Sequence, residues 1–121
     1  MAEPAPTLAD LVQEIVRFRD ARDWRQFHNP KDLSLAISIE AAELLEHFLW
    51  KAPDQVAVLE ADETALTDLK REVADVLIFT LLLADRLGID PAQAIRKKLQ
   101  ENGDKYPVAK AKGTAKKYTE L

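Results

Sequence analysis

The chain has 121 residues, of which 47% are hydrophobic and 31% charged, with a formal net charge of −4. This fits one domain with a real core and is too apolar for a disordered chain. It contains no cysteine, which excludes disulfide scaffolds, thiolate nucleophiles and cysteine-bound zinc.

The charge is unevenly spread: residues 1–104 carry 12 basic and 20 acidic side chains, whereas residues 105–121 carry five lysines and one glutamate. An acidic body is a poor general binder of nucleic acid polymers, because that binding depends on neutralising phosphates. It can still hold a nucleotide if a divalent cation supplies the positive charge. The first ten residues lack the basic start and apolar stretch of a signal peptide, and the apolar run over residues 76–84 is too short to span a bilayer. The expectation is a cytoplasmic protein with no membrane partner.

Residues 1–6 read as a flexible Pro/Ala leader, ahead of a helical domain over residues 7–106 and a basic tail over 107–121. Thr7 can cap a helix, with Asp10 three residues on. Leu8, Leu11, Val12, Ile15, Val16 and Phe18 then give an amphipathic helix to residue 21. Residues 23–30 hold Trp24, Phe27 and His28 and end in Asn-Pro, which predicts a loop. A second helix is expected from residue 31 or 32 to Trp50, with Pro53 as its stop. Residues 52–63 form a polar connection with room for a short helical turn.

The third helix is expected over residues 64–87, with Gly88 as its stop. Asp90-Pro91 is a strong restart signal for a fourth helix to residue 104. The spacing therefore predicts an all-α protomer resembling a four-helix bundle. Val76, Leu77, Ile78, Phe79, Leu81, Leu82, Leu83 and Ala84 cover nearly the whole circumference of the third helix. A helix apolar all round must be buried all round, so a homo-oligomer is expected, the alternative being one central helix in a monomer.

Residues three apart on a helix lie ~60° apart around its axis and ~4.5 Å apart along it. Glu40 and Glu43 thus share one face of the second helix, and Glu72 and Asp75 one face of the third. The first pair lies on a stripe with Leu33, Ala36, Ile37 and Leu44, the second on a stripe with Phe79, Leu82 and Leu83. These acids point where apolar residues point, and an uncompensated buried charge costs several kcal/mol. Four acids with few basic partners suit a hard cation such as Mg²⁺, which takes oxygen ligands and keeps positions open for phosphates. The competing reading is a pair of ordinary solvated acidic faces. A di-iron bundle fails on spacing, since it uses Glu-x-x-His and the third helix has no histidine.

At these residues the sequence resembles the MazG-like all-α nucleoside triphosphate pyrophosphohydrolases, and most nearly their dCTP pyrophosphatase branch. The family pattern is E-x-x-E, a connection, then E-x-x-D, here Glu40-Ala-Ala-Glu43 and Glu72-Val-Ala-Asp75. The stretches RDWRQFHNPKDL (22–33), EHFLWK (46–51), EVADVLIF (72–79) and KKYTEL (116–121) extend the likeness from Thr7 to Leu121. The resemblance implies hydrolysis of common or modified (deoxy)nucleoside triphosphates between the α and β phosphates, giving a monophosphate and pyrophosphate, in nucleotide-pool sanitation. It implies Mg²⁺, with Mn²⁺ as a substitute, held by Glu40, Glu43, Glu72 and Asp75. It also implies a homotetramer built as a dimer of dimers. Trp24, His28 and Trp50 would serve the base, and Lys51, Lys98, Asn102 and Tyr106 the phosphates or sugar.

The chain departs from the family where many members place adjacent glutamates, since position 39 is Ile, and Ser38-Ile39 replaces the branch's glycine. No ligand is lost, but base preference stays open. Trp24 and Trp50 could each stack on a base or serve as core residues. Trp50 is favoured because it shares a helical stripe with Glu43 and His47. The function opposed to the enzyme is a non-catalytic helical oligomerisation or regulatory module.

Overall fold

The computed structural model describes residues 3–121, so the leader expectation for residues 1 and 2 lies outside the described residues. Every regular element among the described residues is helical: α1 (Leu8–Ala21), a 3₁₀ turn (Arg25–Phe27), α2 (Pro30–Glu46), α3 (Pro53–Glu60), α4 (Glu63–Arg86), α5 (Pro91–Lys105), α6 (Val108–Ala111) and a 3₁₀ turn (Tyr118–Glu120). The chain forms two compact units, residues 1–88 and 89–121.

In the first unit, local chemistry sets the helix starts. Thr7 Oγ1 accepts from the Asp10 amide at 3.1 Å and Asp10 Oδ2 accepts from the Thr7 amide at 2.9 Å, a reciprocal capping box. Asn29 caps α2 through the Asp32 amide, with Pro30 at the first helical position. Asp62 caps α4 through the Thr64 amide at 2.9 Å. α3 has half a box: Ala52 offers no side-chain acceptor, but Gln55 reaches back to the Ala52 amide at 2.8 Å.

Two expectations are corrected here. α2 stops at Glu46 rather than Trp50, because the chain tightens into bonds such as Phe48 N–H to the Leu45 carbonyl and Lys51 N–H to the Phe48 carbonyl. Pro53 opens α3 instead of ending α2. Proline lacks only an N–H that a first helical turn leaves unused, so it serves a start as well as a stop. The expected stop of α4 holds, with Gly88 at φ +67° supplying the left-handed residue.

α2 and α4 form the main helix pair, and α1 and α3 both pack on α4. Leu33 and Leu82 are the fully buried apolar side chains of this packing, at 1% and 5% exposure. The apolar circumference of α4 is not covered within the chain: Val73, Leu77 and Ile78 remain exposed, as do Leu35, Ile39 and Leu45 of α2. The core also holds a charge that the sequence reading did not weigh. Arg19, 3% exposed, donates through Nε to Asp20 Oδ1 and through Nη1 to Asp85 Oδ2, both at 2.9 Å.

In the second unit, Asp90 caps α5 and Pro91 stands at its first position. The basic tail is partly ordered, carrying α6 and the final 3₁₀ turn. Tyr106 and Tyr118 meet edge-on with ring centres 6.0 Å apart, and Lys105 Nζ lies 5.0 Å from the Tyr118 ring centre. Among the described residues, no helix is long and apolar enough to cross a membrane.

Candidate metal centre

The pairing of α2 with α4 turns two spacing patterns into one cluster. Glu40, Glu43 and Glu72 each bring one carboxylate oxygen to within 4.8 Å of the others. Asp75, one turn beyond Glu72, lies outside this group, yet its charge reaches Glu40. Glu40 Oε2 and Glu72 Oε2 are buried and have no hydrogen-bond partner. Buried polar atoms are almost always satisfied, so two orphaned oxygens in one cluster mark a place for an electrophile.

Electrostatics agree. Glu40 is pushed up to about 6 by its burial first, then by hydrogen bonding to Glu43 and by the negative charges of Glu43, Asp75 and Glu72. Its ionised form is therefore disfavoured until a cation arrives. The donors are hard carboxylate oxygens, which suit a divalent cation of the Mg²⁺ or Mn²⁺ kind. His47, just past the end of α2, places Nε2 3.6 Å from Glu72 Oε1.

Trp24 and His28 come together around the first 3₁₀ turn. The Trp24 ring meets Phe18 edge-on at 5.9 Å and His28 at 6.4 Å. His28 Nδ1 is buried and unpartnered, and burial followed by the charge of Arg19 pushes the imidazole's pKa down. Trp50 is 93% exposed at φ +63° in the turn after α2, so it does not continue the helical stripe of Glu43 and His47. Lys51 follows it and is exposed.

Lys98, Asn102 and Tyr106 belong to the second unit. There Lys98 Nζ lies 3.5 Å from Glu101, the Asn102 carbonyl accepts from the Tyr106 amide at 2.8 Å, and Tyr106 packs on Tyr118.

Comparison with known proteins agrees with this architecture. A model of the MazG-like family matches residues 35–121. The dCTP pyrophosphatase 1 of Mus musculus is 39% identical over 118 residues, spanning 98% of this chain and 69% of the relative. The Homo sapiens protein of that name is 37% identical over 118 residues, with the same coverage. The crystal structure of a pyrophosphatase from Archaeoglobus fulgidus superposes with a TM-score of 0.74 at 38% identity, covering 88% of this chain and 98% of that one. An all-helical chain with these relatives is an enzyme of the nucleoside triphosphate pyrophosphohydrolase class. The chain belongs to the MazG-like family. Pyrophosphatases of this family generally use divalent metals, and the acidic cluster of Glu40, Glu43 and Glu72 is consistent with that.

Proposed function

We propose that this chain hydrolyses a deoxynucleoside triphosphate, dCTP or a modified or other dNTP, to its monophosphate and pyrophosphate in nucleotide-pool sanitation. The observation that carries the reading is the convergence of Glu40, Glu43 and Glu72, with two buried oxygens left unpartnered. Glu40, Glu43, Glu72 and Asp75 would hold Mg²⁺, for which Mn²⁺ can substitute. Bound there, the cation neutralises phosphate charge and lowers the pKa of a ligated water.

The chain's own residues supply the positioning. Carboxylate oxygens on two packed helices orient the attacking water by accepting its hydrogen bonds. The Trp24 and His28 group and the exposed Trp50 would offer faces for a base, and Lys51 a donor to the phosphates or sugar. The catalytic domain would span residues 7–106, with 107–121 as a basic tail, and the protein would act in the cytoplasm. The uncovered faces of α2 and α4 support a homo-oligomer, because apolar stripes of this extent call for a partner, and the family resemblance makes a homotetramer, a dimer of dimers, the assembly we propose.

The test is pyrophosphate release from a panel of common and modified triphosphates, with and without Mg²⁺. Release is expected to require the cation and to be lost in Glu43→Gln and Asp75→Asn while helicity is kept. Unchanged turnover in both variants would refute the assigned site. Sedimentation of the purified chain reads the tetramer directly.

A further inference from the structure

We propose that Arg22 is a specificity-determining residue whose guanidinium donates to a carbonyl oxygen on the edge of a base stacked on Trp24. The inference rests on the reading above that Trp24 serves the base, and it names the class of base selected.

The way α1 ends builds the corner. Asp23 takes a left-handed backbone at φ +54°. Its N–H donates to the Asp20 carbonyl at 3.1 Å, and the Trp24 N–H donates to the Arg19 carbonyl at 3.2 Å. This pair of bonds is a Schellman close, which brings the second residue past the helix cap back onto the last turn. Here it lays Trp24 against Phe18, edge-on with ring centres 5.9 Å apart. Both rings keep open surface, Trp24 at 43% exposure and Phe18 at 52%.

Arg22, the cap residue itself, fills the angle between the rings. Its Cζ lies 3.6 Å from the centre of the Phe18 ring and 5.9 Å from that of Trp24, and Nη1 donates to the Phe18 carbonyl at 2.9 Å. The stack and the bond hold the guanidinium in place. None of the ion pairs among the described residues involves it. Arg19, three residues earlier, is by contrast committed to Asp20 and Asp85. Arg22 therefore keeps most of its five donors free over an exposed indole ring.

The chemistry of the base follows. A base laid on Trp24 at a stacking distance of about 3.5 Å brings its edge beside a guanidinium held there. Fixed donors call for an acceptor. Cytosine, thymine and guanine each carry a carbonyl oxygen, whereas adenine has none and presents an amino donor. The corner thus selects carbonyl-bearing bases against adenine. The competing account is an arginine that only covers apolar rings with its charge in water, and it predicts no difference between bases.

The test is kcat/KM for pyrophosphate release from dCTP, dTTP, dGTP and dATP by the unaltered chain, Arg22→Met and Trp24→Ala, with helical circular dichroism as the check on folding. Met keeps a stem against Phe18 and removes the donors. In the unaltered chain the best carbonyl-bearing substrate should exceed dATP by roughly tenfold or more, and Arg22→Met should lower that ratio roughly tenfold through KM with kcat little changed. The chain has two tryptophans, so in Trp50→Phe the quenching of Trp24 fluorescence by dCTP and dATP reads the same preference without turnover.

An unaltered chain that takes dATP as well as the best of the others overturns the proposal, whatever the variants do. An equal rise in KM for all four substrates in Arg22→Met also overturns it and makes the arginine a phosphate contact. No change in that variant overturns it and makes Arg22 a cover for the two rings only. In these cases a raised KM in Trp24→Ala leaves the base site standing. If Trp24→Ala leaves every KM unchanged, the base site fails and this inference fails with it.

Discussion

Arg19 on α1 and Asp85 near the end of α4, 66 residues apart, meet in a 2.9 Å hydrogen bond that fastens the first helix to the fourth. The guanidinium is nearly all buried, while Asp85 and the second partner, Asp20, keep 35% and 50% of their side chains exposed. The two ends of the interaction are therefore unequal. Removing the arginine leaves carboxylates that water can still reach, whereas removing both carboxylates strands a buried cation.

This asymmetry predicts the order of two variants. The Asp20→Ala, Asp85→Ala double variant should lose distinctly more stability than Arg19→Met. Urea unfolding of both, followed by helical circular dichroism, checks it. An Arg19→Met variant at least as unstable as the double variant would show that the packing of the arginine stem matters more than its charge.

Glu40 predicts a pH-dependent penalty in the metal-free protein. Its folded pKa, about 6, lies above its ordinary value of 4.5, so the folded state favours the protonated form. Stability is lost as pH rises from 4.5 through 6, and the loss persists above that. In chelator, Glu40→Gln should melt roughly 2–5 °C higher than the unaltered chain at pH 7.5 and show no gain at pH 4. A saturating divalent cation should reverse the order at pH 7.5, because the variant forfeits a charged ligand. An equal gain at both pH values would mean that burial alone, not ionisation, sets the effect.

The four carboxylates should not contribute equally to cation affinity. Glu72 belongs to the converging group and Asp75 lies outside it. Glu72→Gln is expected to weaken Mg²⁺ binding by roughly 100-fold or more and Asp75→Asn by less, though both should reduce turnover. Calorimetric titration ranks them, and a larger loss of affinity in Asp75→Asn would move the ion toward the later turn of α4.

Trp50 offers a separation of stability from binding. It holds φ +63° without being glycine and buries almost nothing. Trp50→Gly should be neutral to about 1 kcal/mol more stable, since left-handed backbone is costly for an L-residue with a side chain. If the ring stacks on the base, KM should rise roughly tenfold or more in the same variant. Thermal melting and steady-state kinetics read the two effects, and an unchanged KM would take Trp50 out of the base pocket.

Much of this protein was legible in its sequence because the relevant rules are local. Thr7 with Asp10, Asp90 with Pro91 and Gly88 mark helix ends through bonds made within a few residues, whereas Asn29-Pro30, read as a loop signal, caps and opens α2. The three-residue spacing of each acidic pair follows from helix geometry in the same way. The end of α2 escaped this reading, because an apolar pattern that runs on to Trp50 does not reveal where the backbone bonds tighten. Tertiary packing alone decided three further things. It brought Glu72 against Glu40 and Glu43 but left Asp75 outside, it set His47 beside Glu72, and it buried Arg19 against Asp85. Each depends on how α1, α2 and α4 are rotated against one another. That rotation is set by the summed contacts of whole helix faces, to which no short stretch of sequence is sensitive.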